Sequence, residues 1–523
     1  MRITGTLFLI LMLMVLTAIP LSAQSTGDYR TRDSGNWSNA QIWQRYNGSA
    51  WLNVATPPTG SETITVLGSD SVFVDNPVSI TDTLILQEDG IVEANDNLTI
   101  ANGGTYKHDR DSGQIPMATW EEGSMLYLSG TTSTAPSDRD QNYYNITFNT
   151  PGLLSNLNMN LNDNTIGGDI TVINTGSNKR WYLTSASAND TSVVTIMGDV
   201  IVEGGQFSVQ GTSTANTTFI IYHYGNINVT GGNFSISRGS QGGGTTTWYL
   251  YDGDFSMSNA TTQSSTATAD GAKFIFAKEG TQTLTLGEGN TLTALPIEVS
   301  SGTTLDMGSS VLDGSGNFTV REGGMIMTAL AGGVDSVVSE VTGTVTLEDG
   351  SGYGFNGSEA QVTGTSMPAT VGDLIINNAA GVTLSQETTI NGVLHLVSGE
   401  FDNTIPFTLG PAGSISYEGG SLLIPTSIEN AANQIPTRFA LLQNYPNPFN
   451  PSTTIRYDVP QPAYVILTIY DVMGREVTRL VNDQRVPGAY SVTWDAHGYA
   501  SGIYYYRITA GDFTAVRKLV LMK

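Results

Sequence analysis

Between residues 60 and 425 apolar and polar positions alternate in short runs, and nearly every run is opened by glycine. Alternation over a few residues puts the apolar side chains on one face of a strand. The recurring cassette is Gly, often followed by Asp or Asn, then two apolar residues flanking a third. Copies begin at Gly168, Gly198, Gly225, Gly253, Gly316, Gly372 and Gly392. The first three intervals, from Gly168 to Gly253, agree closely and predict a coil of roughly 28 residues. Those from Gly253 to Gly316 and from Gly316 to Gly372 are each taken as two coils. A second signature often trails the first: Gly204-Gly205-Gln206-Phe207, Gly231-Gly232-Asn233-Phe234, Gly323-Gly324-Met325-Ile326 and Gly399-Glu400-Phe401. Strand, glycine corner and strand at a fixed period is the mark of a stacked repeat structure. A coil this short fits a parallel β-helix better than a propeller blade of roughly 40–50 residues. Ile170, Val200, Ile227 and Phe255 are then equivalent inward positions.

Solenoid ends are sheet edges and need covering. Residues 24–59 hold Trp37, Trp43 and Trp51 and are expected to form an aromatic cap on the first coil. The same three rings could stack on sugar, but closing the end of the core is obligatory and binding sugar is not. This opening resembles that of many secreted bacterial β-solenoid surface proteins. Residues 426–436 read as a linker.

From residue 437 the strands lengthen and gain aromatics, with runs expected at 454–459, 463–470, 476–481, 489–495, 503–509 and 513–522. Six or seven strands in about 80 residues read as a compact β-sandwich. The fold class is therefore all-β: an elongated solenoid followed by a small sandwich. Ahead of the sandwich, Pro446, Pro448 and Pro451 alternate with Asn447, Phe449 and Asn450. Proline donates no backbone hydrogen bond and keeps the residue before it out of the α region. This segment either clasps the sandwich or is read by another protein.

Composition narrows the setting. Residues 1–23 have a basic start, an apolar core and a small residue at the expected cut, so they read as a secretory signal peptide. No later run suggests a stable membrane span. Cysteine is absent, which excludes disulfides and thiolate chemistry. Residues 24–435 carry 41 acidic and 12 basic side chains, against 6 and 9 in residues 436–523. So acidic a body repels phosphate backbones, which excludes nucleic acid as a partner.

The sandwich region carries a resemblance. Leu442-Gln443-Asn444-Tyr445-Pro446-Asn447-Pro448-Phe449-Asn450-Pro451 is similar to the start of the type A C-terminal sorting domain of the type IX secretion system. The blocks Ile469–Val477, Pro487–Tyr490, Val492–Asp495, Ala500–Arg507 and Lys518–Lys523 follow in the same order. The resemblance implies an immunoglobulin-like fold and recognition by the outer-membrane translocon and its sorting machinery. It also implies export to the surface or medium. Asn444, Tyr445, Pro446, Asn447, Pro448, Phe449, Asn450 and Pro451, with Gly474, Gly502 and Lys523, are the sorting motif it implies.

Chemistry in the body is sparse. His108, His223 and His395 are its three histidines and lack zinc-ligand spacing. His395 lies between Leu394 and Leu396 and is expected to point outward. No nucleophile elbow or phosphate-binding loop occurs. Asp109, Asp111, Glu121, Glu122, Asp138 and Asp140 could pair for glycoside hydrolysis or, with nearby carbonyls, hold calcium. As exposed loop acids they need do neither, and no other cofactor is expected. The twelve basic residues form no cluster that a polysaccharide lyase would need. Two function classes stand: a secreted or cell-surface structural, adhesin-like protein without enzymatic activity, and a carbohydrate-binding or carbohydrate-active protein that meets surface polysaccharide.

Overall fold

A computed structural model of the protein describes residues 24–176, 178–211, 216–238, 244–263, 271–287, 289–424 and 438–522. The signal-peptide and linker expectations, and Lys523, lie outside the described residues.

Stacked coils build the body, and each typical coil gives one strand to each of three parallel sheets. In one coil these strands are Val200–Val202, Gln206–Gln210 and Thr218–His223, on what we term the first, second and third faces. Each pairs in parallel with its counterpart in the next coil: Ile227–Val229, Asn233–Ser237 and Thr246–Leu250. Ile170, Val200, Ile227 and Phe255 are mutual partners in register, and all four are fully buried. The first face belongs to a 19-stranded sheet among the described residues.

The cassette has a physical cause at each position. Gly198, Gly225 and Gly253 stack at the corner that leads onto the first face. A Cβ on Gly225 would collide with the Gly198 carbonyl, and one on Gly253 with the Gly225 carbonyl. Glycine is required here by close approach of backbones, not by positive φ. The Asx residue that follows forms a ladder. Asn145 Oδ1 accepts the Asp169 N–H at 2.8 Å, Asp169 accepts Asp199 N–H at 2.7 Å, and Asp199 accepts Asn226 N–H at 2.6 Å. Asn226 then accepts Asp254 N–H at 3.0 Å, and Asp254 accepts Thr283 N–H at 2.8 Å. Each side chain satisfies a corner amide that the sheet ladder leaves without a backbone partner. The next apolar residue points inward, where Phe207, Phe234, Trp248, Phe255 and Phe274 form a continuous aromatic stack. Burying each such side chain contributes roughly 1.5–3 kcal/mol.

Coil length varies more than the spacing suggested. Ile64 has Leu84 as its register partner and Ile170 has Val200, so the second coil is half as long again as the first. The interval from Gly253 to Gly316 is not two coils. Phe318 of the Gly316 cassette pairs with Ile297 and Val345 on the third face, while Phe255 lies on the first. Two faces thus use the same cassette, and sequence period alone merged them. Gly323-Gly324 likewise turns onto the strand Met325–Thr328, which pairs with Thr303–Asp306, not onto the second face. One coil also admits a helix, Gly333–Val338, whose Val334 and Val337 reach the core.

At the N-terminal end the strand Tyr29–Thr31 adds in parallel to Ile64–Val66, and Gly35–Asn36 adds to Ser71–Phe73. These two strands begin a coil that is not completed. Instead the chain returns through Trp43–Tyr46 and Trp51–Asn53, paired antiparallel. Trp37 and Trp43 close the core, with ring centroids 5.1 Å apart and edge to face.

The C-terminal unit is a sandwich of two antiparallel sheets. One has the strands Ala440–Leu441, Ser452–Val459 and Gly488–Asp495; the other has Glu476–Arg485, Ala463–Tyr470, Gly502–Ala510 and Phe513–Leu521. Val465, Leu467 and Ile469 face a core shared with Trp494, Tyr506 and Leu519.

Replacing Gly225 by Ala is expected to destabilise the body by about 1–3 kcal/mol through backbone overpacking. Gly474→Ala, where a Cβ meets nothing within 4 Å but φ is +77°, should cost about 1–2 kcal/mol from backbone strain alone, and only in the sorting domain. Denaturant midpoints of the two variants test this; a neutral Gly225→Ala would refute the stacked-corner account.

Candidate functional site

The proline–asparagine segment presents two sides, and its three X–Pro peptide bonds are cis. Asn444, Asn447 and Phe449 face the sandwich. The Asn444 backbone N–H donates to the Tyr506 hydroxyl at 2.8 Å, and that hydroxyl donates to the Leu442 carbonyl at 2.6 Å. The Asn444 side chain donates to Thr453 Oγ1 at 2.9 Å and to the Pro446 carbonyl at 3.1 Å. Asn447 ties the segment to the last strand: its amide donates to the Lys518 carbonyl at 3.2 Å, and its carbonyl accepts the Val520 N–H at 2.9 Å. Phe449 extends that contact through backbone bonds to Val520 and Met522 at 3.0 and 2.9 Å, while its buried ring packs on Trp494. On the other side Tyr445 is 82% exposed, and Pro446, Pro448 and Asn450 line the same outer edge.

Residues 443–522 match the secretion system C-terminal sorting domain. No curated protein and no solved structure matches the chain. The sorting domain directs type IX export and places its cargo at the cell surface. It spans the proline–asparagine segment and all six long strands of the sandwich. Among the sorting domain's landmarks, Gly474 closes the turn in which the Asp471 carboxylate accepts the Arg475 and Met473 amides and pairs with Arg475 Nε at 2.7 Å. Those bonds hold the Asp471 carboxyl below its usual range. Gly502 opens the strand Gly502–Ala510. No helix among the described residues is long and apolar enough to cross a membrane.

In the body the candidate side chains do not converge. His108 is buried, with Nδ1 3.0 Å from the Tyr106 hydroxyl and Nε2 2.8 Å from the Ser112 carbonyl. His223 is buried further along the same core, with Nε2 2.8 Å from the Gly198 carbonyl. Desolvation lowers both imidazoles to about 4, opposed by those carbonyls and by nearby carboxylates, Asp109 and Asp111 for His108 and Asp199 for His223, while Arg110 adds to the lowering of His108. His395 points outward to Glu418 at 2.9 Å. Asp109 pairs with Lys107 at 3.3 Å and accepts from Ser129 at 2.7 Å. Asp111 caps the amides of Thr132, Ser133 and Thr134 at 2.8–3.0 Å. Desolvation would raise its carboxyl, but the Ser133 hydroxyl and those amides hold it well below the usual range. Glu121 and Glu122 stand exposed at a corner. Asp138 and Asp140 offer backbone carbonyls, to Gln141 and Asn164, in the same loop region. Among the described residues no three His, Asp or Glu side chains gather closely enough to hold a metal.

Two of the three tryptophans read as sugar contacts are closed off. Trp37 and Trp43 are 3% and 0% exposed, and their indole N–H groups donate to the Pro58 and Trp37 carbonyls. Only Trp51 of the three is partly open, with Arg30 over its ring at 4.5 Å. Outward-facing aromatics occur instead on the third face. Tyr222, Tyr224, Tyr249 and Tyr251 form a contiguous block outside the third face, with neighbouring centroids 5.4–6.0 Å apart. The available signal was a Tyr-x-Tyr pair that recurs at the same interval as the cassette glycines Gly198 and Gly225. Further along that face Arg321 bridges Glu298 and Glu348 at 2.7 and 2.6 Å.

Two outcomes are expected. Asn447→Ala should weaken the sorting domain by about 1–3 kcal/mol, since it leaves the Val520 amide without its partner. Hydrogen exchange at residues 515–522 should then quicken, and should stay unchanged in Tyr445→Ala. For the body, unfolded histidine titrates near 6.5 and the buried pair near 4, so between these values the unfolded chain binds more protons. Stability should therefore be full above pH 6.5 and fall as pH drops toward 4, by about 3 kcal/mol per histidine. Denaturant unfolding at pH 7, 5.5 and 4.5 measures this, and His108→Gln/His223→Gln should flatten the slope.

Proposed function

We propose that the protein is a structural, adhesin-like component of the cell surface, in which an acidic β-solenoid is displayed after type IX export. Residues 1–23 act as a signal peptide for the inner membrane, and the immunoglobulin-like sorting domain then engages the outer-membrane translocon. The observation that carries this reading is the sorting-domain match at residues 443–522 joined to a body of stacked coils. The body is proposed to be non-catalytic. In support, Asp109 and Asp111 are committed to Ser129 and to the 132–134 loop, and His108 and His223 are buried in the core. A hollow beside Lys273, Glu298 and Arg321 has a volume of about 80 Å³, small against the roughly 300–1,000 Å³ of ligand pockets. Within the sorting domain, the exposed side of the segment, led by Tyr445, is the part left open for the translocon.

A second reading, binding of surface polysaccharide, is favoured by one observation, the outward-facing tyrosine block of the third face, in which Tyr224 is exposed and Tyr222, Tyr249 and Tyr251 are half-buried.

Fusion of residues 437–523 to a periplasmic reporter in a cell with the type IX translocon is expected to move the reporter to the surface or medium. Tyr445→Ala in the fusion should lower the exported fraction several-fold without altering reporter folding. A reporter that stays periplasmic while the full chain is exported would place the address in the body.

A further inference from the structure

The third face offers a built surface that neither the export tail nor the core requires. Tyr222 and Tyr249 are register partners on the strands Thr218–His223 and Thr246–Leu250. Tyr224 and Tyr251 follow two positions later on adjacent coils, with their amides bonded to the preceding coil's Ile196 and His223 carbonyls. The four rings form a two-by-two block. Along the stacking direction the centroids are 5.8 Å apart for Tyr222 and Tyr249, and 5.4 Å apart for Tyr224 and Tyr251. Met197, one coil earlier, is 48% exposed beside Tyr224, itself 37% exposed. No hydrogen bond joins the four hydroxyls to any described residue. Such rings combine an apolar body with a polar tip open to a partner.

Charge selects the partner. The register neighbours of the block are uncharged: Thr195 beside Tyr222, and Ile275 beside Tyr249. Formal charges begin at the edge of the block, with exposed Asp252 after Tyr251 and Lys278 donating to the Asp252 carbonyl at 3.1 Å, and continue along this face at Lys273 and Glu298. The surrounding residues 24–435 hold 41 acidic and 12 basic side chains, so an anionic polymer, or a second copy of this body, meets net repulsion there. An uncharged chain with apolar C–H faces and a rim of hydroxyls meets none. Spacing along the stack is close to the length of one pyranose unit, so successive rings can meet successive sugars.

We propose that Tyr222, Tyr224, Tyr249 and Tyr251 form a contact site for an uncharged, extended polysaccharide. This rests on the polysaccharide-binding reading above and moves it from Trp37 and Trp43 to the third face.

Affinity electrophoresis of the full chain through gels containing hydroxyethylcellulose, laminarin or glucomannan tests the site, with polygalacturonate as the anionic comparison. At least one neutral glycan should retard the protein and polygalacturonate should not. Tyr224→Ala/Tyr251→Ala should weaken retention at least tenfold at an unchanged melting temperature, and Trp51→Ala should leave it intact. If the double variant melts early, Tyr224→Ala alone, at the most open ring, should still weaken binding several-fold. Retention unchanged by the tyrosine variants overturns this site while sparing polysaccharide binding elsewhere. No retention of the unaltered chain by any of the three neutral glycans overturns both. Self-association in sedimentation that the tyrosine variants abolish would assign the block to a second copy and overturn the proposal.

Discussion

Parallel strand-on-strand stacking is the constraint from which the body follows. Once successive coils lie one strand spacing apart, every position must tolerate its own counterpart above and below. A side chain at the corner cannot do so, because the carbonyl of the coil before occupies the space, and Gly198, Gly225 and Gly253 result. An unpaired amide cannot do so either, and the Asn145–Asp169–Asp199–Asn226–Asp254 ladder supplies its acceptor. Inside, the same rule favours rings over rings. Outside, it favours Tyr222 beside Tyr249, because a residue that repeats at one coil period lands beside its copy.

The sorting domain solves a different problem with antiparallel sheets. Its long strands pair within a closed unit, and its core residues Val465, Leu467 and Trp494 belong to a cluster distinct from that of the coils. Charge changes with the architecture, from 41 acidic and 12 basic residues over positions 24–435 to 6 and 9 over positions 436–523. A cargo of repeats thus carries a compact address whose stability does not come from the repeat.

The elements most legible in the sequence were those where one residue type has one physical reason. Stacked glycines and alternating apolar residues placed Ile170, Val200, Ile227 and Phe255 in register, and the six sandwich strands fell within a few residues of their expected ends. Period alone could not tell the faces of a coil apart, since Phe255 and Phe318 sit in closely similar cassettes on different sheets. Nor does spacing reveal direction at a chain end: Trp37 and Trp43 turn inward while Trp51 stays partly open, because the return strands fold across the first coil. The surface block at Tyr222–Tyr251 was hidden for the converse reason, as alternating tyrosines read equally well as interior.

The bonds from Asn447 and Phe449 to Lys518, Val520 and Met522 join the two ends of the sorting domain's own sequence. Its opening segment and its last strand therefore form one mechanical part. Shaving a few residues from the carboxyl end strikes the same latch as cutting the proline–asparagine segment at the far end of the domain, since either removes one half of the contact that joins them.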